Sequence, residues 1–325
     1  MLLLMLFGTC VVIIFFAFGL FKNPKQQFHL KLSVFDGQFS ALIFYAEQLD
    51  FFKDEGLKVD YTLFDAGVSS VKDLMEGNAD LATGAEFVAV SYIEKSPDLR
   101  ILYTISSGYV NSIIYDQSID LSSAENKRIG LKVNSQADFF FQRFLIYNDL
   151  PADGFEIIDI NPAEMLDKMI THEVDGVVVW DPFAFEIKNK LRGQYVSQSV
   201  QAHQDLYFLL FTKDQVLKVK DKKESIEAFT RALLKAETYS KKNSEDFKKF
   251  LEQRFEMPQE ELNNTIENVD FSVSLPQVLL EAMEAEASWS IMSGNFESDT
   301  ILNYLNYIEV DLLLSIDPKS VFLYR

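Results

Sequence analysis

The chain has 325 residues, 48% of them hydrophobic and 24% charged, with 13 Gly and 8 Pro. That composition excludes a disordered chain, a collagen-like repeat and a polytopic membrane protein, and the length suits about two domains of ~150 residues. Forty-nine acids against 30 bases leave a net charge of −19, the wrong sign for broad contact with nucleic-acid phosphates.

Residues 2–21 carry no charge, and 20 residues of helix at about 1.5 Å each span roughly 30 Å of hydrocarbon. Two readings compete: a secretory signal peptide with a small-x-small cleavage site at Ala17-Phe18-Gly19, or a retained membrane anchor. No base precedes the run, while Lys22, Lys25 and Lys31 follow it. Taken alone, that order holds the body in the cytoplasm. A start upstream of Met1 would remove the conflict. Export is the expectation, to the periplasm or the outer face of the cytoplasmic membrane. The single cysteine, Cys10, lies in this run and excludes an intramolecular disulfide and a thiolate zinc site. It reads as an inert apolar side chain rather than a lipid carrier.

From residue 28 the hydrophobic periodicity is plain. Phe28, Leu30, Leu32 and Val34 alternate with polar residues as in a strand. Asp36-Gly37-Gln38 breaks it, and a helix carries Leu42, Tyr45, Ala46, Leu49 and Phe52 on one stripe up to a stop at Gly56. A second strand alternates through 57–63, a short helix ends at Gly77, and a third strand passes Leu81 to Thr83-Gly84. The order β-α-β-α-β predicts a parallel sheet with right-handed crossovers. The unit recurs as strand 128–133, a Phe-rich helix 136–148, strand 155–160, helix 162–171 and a buried strand 177–180. Strand-like pairs flank the second unit, 101–105 with 110–115 before it and 195–198 with 206–212 after it. The remainder is helical, with a stripe at Ile226, Phe229, Leu233 and Ala236 and a last long helix opened by Pro276 and stopped by Gly294. Two α/β lobes result, 28–108 plus 204–325 and 109–203. The 11 bases and seven acids of residues 213–249 are spread around helices and read as a solvated face.

Chemistry-bearing motifs are sparse. There is no G-x-G-x-x-G, Walker-type phosphate loop, G-x-S-x-G or H-E-x-x-H. His29 and His203 sit in polar surroundings and His172 at a helix end, so neither a metal nor another cofactor is expected. More informative are the loops at the carboxyl ends of the strands, where ligands of doubly wound sheets bind. They read Asp36-Gly37-Gln38-Phe39-Ser40, Asp65-Ala66-Gly67-Val68-Ser69, Thr83-Gly84-Ala85-Glu86-Phe87, Asn134-Ser135-Gln136-Ala137 and Trp180-Asp181-Pro182-Phe183. For any one residue a capping or core role is as good a reading. Five such loops on two lobes favour a shared ligand cleft, with Asp36, Gln38, Phe39, Asp65, Gly67, Thr83, Glu86, Phe87, Asn134, Gln136, Trp180 and Asp181 as the candidate ligand-binding set.

Three segments carry a resemblance: Phe51-Phe52-Lys53-Asp54-Glu55-Gly56-Leu57-Lys58-Val59, Glu76-Gly77-Asn78-Ala79-Asp80-Leu81-Ala82 and Val174-Asp175-Gly176-Val177-Val178-Val179-Trp180-Asp181-Pro182. In order and spacing they are similar to the substrate-binding proteins of ABC importers for nitrate, taurine, sulfonates and thiamine-pyrimidine precursors, over about residues 28–215. The resemblance implies a two-lobed, type II periplasmic-binding-protein fold, with a hinge and a helical C-terminal part. It also implies a monomer that closes on a small solute and delivers it to permease and ATPase subunits without chemical turnover. A pyrimidine-synthase branch of the same family uses a cysteine-rich motif, and no cysteine follows Cys10. A ligand sensor signalling through a partner chain is the alternative from another class.

The residue types favour a neutral or cationic solute with a ring, such as a pyrimidine or flavin-like compound. Asp36, Glu86 and Asp181 can accept from N–H groups, and Phe39, Phe87 and Trp180 offer ring faces. No Arg lies in the five loops, so a taurine-, sulfonate- or nitrate-like anion held by helix N-termini ranks second.

Overall fold

The structure is a computed structural model and describes residues 28–324. The readings of residues 1–21 as signal or anchor, and of Cys10, lie outside the described residues. Among the described residues no helix is long and apolar enough to cross a membrane.

Two separate sheets organise the chain. In the first, Phe28–Phe35 (β1), Leu57–Phe64 (β2) and Leu81–Ala85 (β3) run parallel, with β1 central and Phe28 opposite Leu57. Leu99–Gly108 (β4) lies beyond them. The second sheet takes Asn111–Asp116 (β5), Lys127–Leu131 (β6), Phe155–Asp159 (β7), Gly176–Trp180 (β8) and Tyr195–Ser199 (β9), in the order β7-β6-β8-β5-β9. The chain then returns to the first sheet as Leu206–Lys213 (β10), and Val269–Asp270 (β11) adds an edge, giving β11-β4-β10-β3-β1-β2. Residues 28–203 therefore do not form one continuous sheet.

Neither sheet is purely parallel. Returning strand β10 inserts antiparallel between β3 and β4, and outgoing strand β5 pairs antiparallel with β8 and β9. All eight residues of β10 are buried, which accounts for its unbroken apolar run. One large core packs the first sheet against the helices, including the stripe Ile226, Phe229, Leu233 and Ala236. Two smaller cores cover the second sheet.

Local departures from the periodicity reading have identifiable causes. The helix expected to run through residue 52 breaks into Ala41–Gln48 and Phe51–Asp54 at Asp50, which is left-handed at φ 57°. The break lets Phe52 stack on Phe229 at 4.9 Å in the core. Strand β4 continues through Ser106-Ser107-Gly108. Gly108 has no room for a Cβ, which would lie 2.1 Å from the Asn268 carbonyl oxygen. Glu86 and Phe87 belong to the first turn of a helix, Glu86–Ile93, rather than to a loop. The last long helix begins at Val278, two residues after Pro276.

Candidate functional site

A cavity of about 380 Å³ opens where the two sheets face one another. The first sheet contributes Phe35 at the end of β1, the following Asp36, Gly37 and Gln38, and Asp65 after β2. The second contributes Trp180 at the end of β8, with Pro182 and Phe183. The third wall comes from the C-terminal helices as Arg254, Phe255, Glu256, Met257 and Glu261. Four members of the candidate set, Asp36, Gln38, Asp65 and Trp180, thus meet here.

Among the described residues, Arg254 is the one cationic residue of the cavity wall. Its guanidinium donates to Asp36 and lies over the rings of Phe44 and Phe255 at 4.2 and 5.1 Å. Asp181 sits behind the wall between Trp180 and Pro182, only 4% exposed. Its Oδ2 accepts from Asn264 Nδ2 at 3.2 Å, and its Oδ1 has no partner. Burial raises the Asp181 carboxyl above the ordinary carboxylate range. Glu261 is pushed up to about 7 by burial and then by the nearby Asp181 charge. The wall therefore holds closely spaced acids.

A second group of candidates lies outside the lining of that cavity, and Trp180 of the cavity wall packs against the same apolar core as Phe87. Glu86 has no exposed surface, and its Oε2 accepts the Tyr207 backbone N–H at 3.0 Å. Glu286, on the helix Val278–Met292, is also fully buried and accepts from Gln136 Nε2 at 3.4 Å. Glu86 Oε1 and Glu286 Oε2 have no hydrogen-bond partner. Phe87 and Trp289 lie beside them, with ring centroids 6.0 Å apart, and Trp289 meets Phe139 of the second sheet's core edge-on at 5.8 Å. Burial pushes the Glu86 carboxyl up to about 8, and burial plus the neighbouring Glu86 lifts Glu286 well above its ordinary range.

The remaining candidates hold the framework. Thr83 Oγ1 accepts the Phe35 N–H at 2.9 Å, and Phe39 packs on Phe208 in the core. Gly67 brings its helix against the Gly84 backbone, where a Cβ would come within 2.8 Å of the Gly84 Cα. Asn134 is left-handed at φ 59°, and its N–H donates to Asp138. Among the described residues no group of three or more His, Cys, Asp or Glu is placed to hold a metal.

A larger depression of about 670 Å³ lies on the helical side of the first sheet, near Phe51, Tyr239, Arg231 and Lys235. Its lining residues lie on helices and a loop rather than at strand ends, and Glu55 already pairs with two of its three bases, Arg231 and Lys235.

The NMT1/THI5-like family model matches residues 39–246. The chain belongs to that family. Among solved structures it is similar to the periplasmic aliphatic sulphonate-binding protein of Escherichia coli, with a TM-score of 0.71 at 12% identity over 87% of this chain and 98% of the other. It also resembles the periplasmic nitrate-binding protein of Synechocystis PCC 6803, with a TM-score of 0.67 at 13% identity over 90% and 89%. A Candida albicans gene product described as having the generic periplasmic binding protein fold gives 0.65 at 15% identity over 90% and 95%. These likenesses give this family member a mixed α/β periplasmic-binding-protein fold. A comparison with curated protein sequences finds no match.

Residues missed in the sequence come from the C-terminal helices. Arg254, Glu261 and Glu286 lie at no strand end. Glu286 did leave a signal: it falls on the apolar stripe Leu279, Leu280, Ala282, Met283, Ala287, where a lone acid at helical spacing marks a carboxyl facing inward.

Proposed function

We propose that the protein is the extracytoplasmic solute-binding component of an ABC importer. Its lobes, residues 28–108 with 204–325 and residues 109–203, close on a small solute that is handed unchanged to a permease. The observation that carries this reading is the cavity between the two sheets, walled by strand ends of both. Only two segments join the lobes before the helical return, so closure requires few backbone changes. The family membership agrees with it, as do the structural neighbours, which are periplasmic sulphonate- and nitrate-binding proteins.

For the solute we favour a neutral or cationic ring compound, such as a pyrimidine or flavin-like heterocycle. Trp180, Phe183 and Phe255 offer aromatic surface in the cavity, and Asp36, Asp65 and Glu261 offer acceptors. Arg254 supports an anion as the second reading, since the cavity does contain one guanidinium. Its charge is already engaged by Asp36, and the other acids of the wall would repel an anion.

Thermal unfolding with a panel of pyrimidines, flavins, sulfonates and nitrate separates the two. A compound that binds only the folded form at a hundredfold excess over its Kd adds roughly 2.7 kcal/mol, which raises the midpoint by about 5–10 °C. Trp180→Ala and Asp181→Ala should each weaken binding at least about tenfold, or ~1.4 kcal/mol. Wild-type affinity in both removes the assignment of the site, and recovery of a chemically altered compound removes the transport reading.

A further inference from the structure

We infer that the paired carboxyls of Glu86 and Glu286, closed over by Gln136 from the other lobe, form a recognition site for a protonated nitrogen group, so that the solute carries an amine or amidinium cation. The inference rests on the binding-protein reading and goes beyond it by fixing the charge of one end of the solute.

Three independent features converge on that group. The first is unmet bonding capacity. Glu86 and Glu286 are both fully buried, and each keeps one carboxyl oxygen without a hydrogen-bond partner. A buried polar atom left unpaired costs about 1–3 kcal/mol, so two side by side on one boundary need a donor. A proton held between the carboxyls supplies it when no solute is bound, and an N–H of the solute supplies it when one is. An ammonium or amidinium supplies several N–H donors together with the balancing charge. The second is composition of the surroundings. Phe87, Trp289 and Phe139 bring three rings to the same place, and ring faces attract cations that have left water. The third is access. Glu86 and Glu286 lie in one proposed lobe, whereas Gln136 and Phe139 lie in the other. Opening the lobes parts the amide from the acids and uncovers them; closing buries whatever has replaced water between them.

Charge balance sets the sign of the preference. Glu86 faces Asp205 and the Tyr207 ring, and Glu286 faces Glu86 and Arg143. Arg143, the base beside Glu286, already donates to Gln204 and lies over the rings of Phe139 and Tyr147. In the absence of solute the two Glu carboxyls hold the balance by sharing protons. A cation that enters displaces a proton from the pair to the buffer.

Matched probes test this on the full chain in mild detergent. Benzamidine and benzamide share shape and differ in charge, as do benzylamine and benzyl alcohol. Calorimetry should give each cation an affinity at least about tenfold above its neutral partner. Glu86→Gln and Glu286→Gln, measured separately so that one folded variant suffices, should each erase that preference. Equal binding of the charged and neutral probes overturns the inference, as does failure of both cations to bind at millimolar concentration. A preference that survives both substitutions overturns it as well. Failure of the importer reading would look different: no solute of any charge would then change the radius of gyration in solution.

Discussion

Glu86 loses all its exposed surface on folding, and burial lifts its carboxyl from the ordinary 4.5 to about 8. The folded protein therefore holds a proton that the unfolded chain releases above about pH 4.5. Stability from this group is fully present below that pH and declines as the pH climbs towards 8, because the folded state must then bury a charge or open. Glu286, raised for the same reason and by the Glu86 charge beside it, pushes in the same direction. Glutamine at position 86 keeps an acceptor for the Tyr207 N–H and removes the titration. We expect the melting temperature of Glu86→Gln to exceed that of the wild type at pH 8 and to approach it near pH 5. Parallel curves across that range would mean that the carboxyl titrates normally.

At the scale of elements, the crossings between the sheets depend on one amide. Gln201 is fully buried. Its Oε1 accepts the backbone N–H of Val110 and of Asn111, and its Nε2 donates to the carbonyls of Gly108 and Gln204. The outgoing segment between β4 and β5 is thereby tied to the returning segment between β9 and β10. Gln201→Leu keeps the bulk and strands several backbone groups, each at about 1–3 kcal/mol. It should lower the unfolding free energy by at least about 2 kcal/mol in urea titration; a change below half that would show that water or a backbone shift replaces the amide. Nothing in the sequence around Gln201 distinguishes it from other polar loop residues. The strands, by contrast, were legible because period-two alternation or an unbroken apolar run follows directly from burial of one face or two. The loops after β1, β2, β6 and β8 were legible for the same reason. The helix Glu86–Ile93 was not, since its run of Phe, Val, Ala and Tyr shows no polar face from which to read a period. The cavity walls from residues 254–261 were invisible because they depend on how distant helices fold back, which local pattern does not encode.

Over the whole molecule, the contact between the proposed lobes sets how much solute affinity is spent on closure. Phe87, Ala285 and Trp289 from one lobe pack against the Phe-rich core of the other, which also receives Trp180 from the wall of the 380 Å³ cavity. The exposed Arg192–Glu260 pair also bridges the lobes, yet such surface pairs contribute little, about 0–1 kcal/mol. The aromatic patch therefore contributes more to the balance between open and closed forms than that ion pair does, alongside the Asp181–Asn264 and Gln136–Glu286 hydrogen bonds that also cross between the lobes. Truncating Trp289 removes its edge-on contact with Phe139, which is made only when the lobes meet, together with its contact to Phe87 within its own lobe, and the indole is already partly exposed. If the closed form is the one competent to hold solute, apparent Kd equals intrinsic Kd divided by its population. Trp289→Ala should then enlarge the radius of gyration of the solute-free protein in small-angle X-ray scattering. The same change should weaken solute binding by roughly tenfold, which is ~1.4 kcal/mol. The scattering result is the decisive one, because Trp289 also borders the Glu86–Glu286 pair and could alter affinity by direct contact. An unchanged radius with weakened affinity would assign Trp289 to the solute rather than to closure, and would leave the open–closed balance to the crossings held by Gln201.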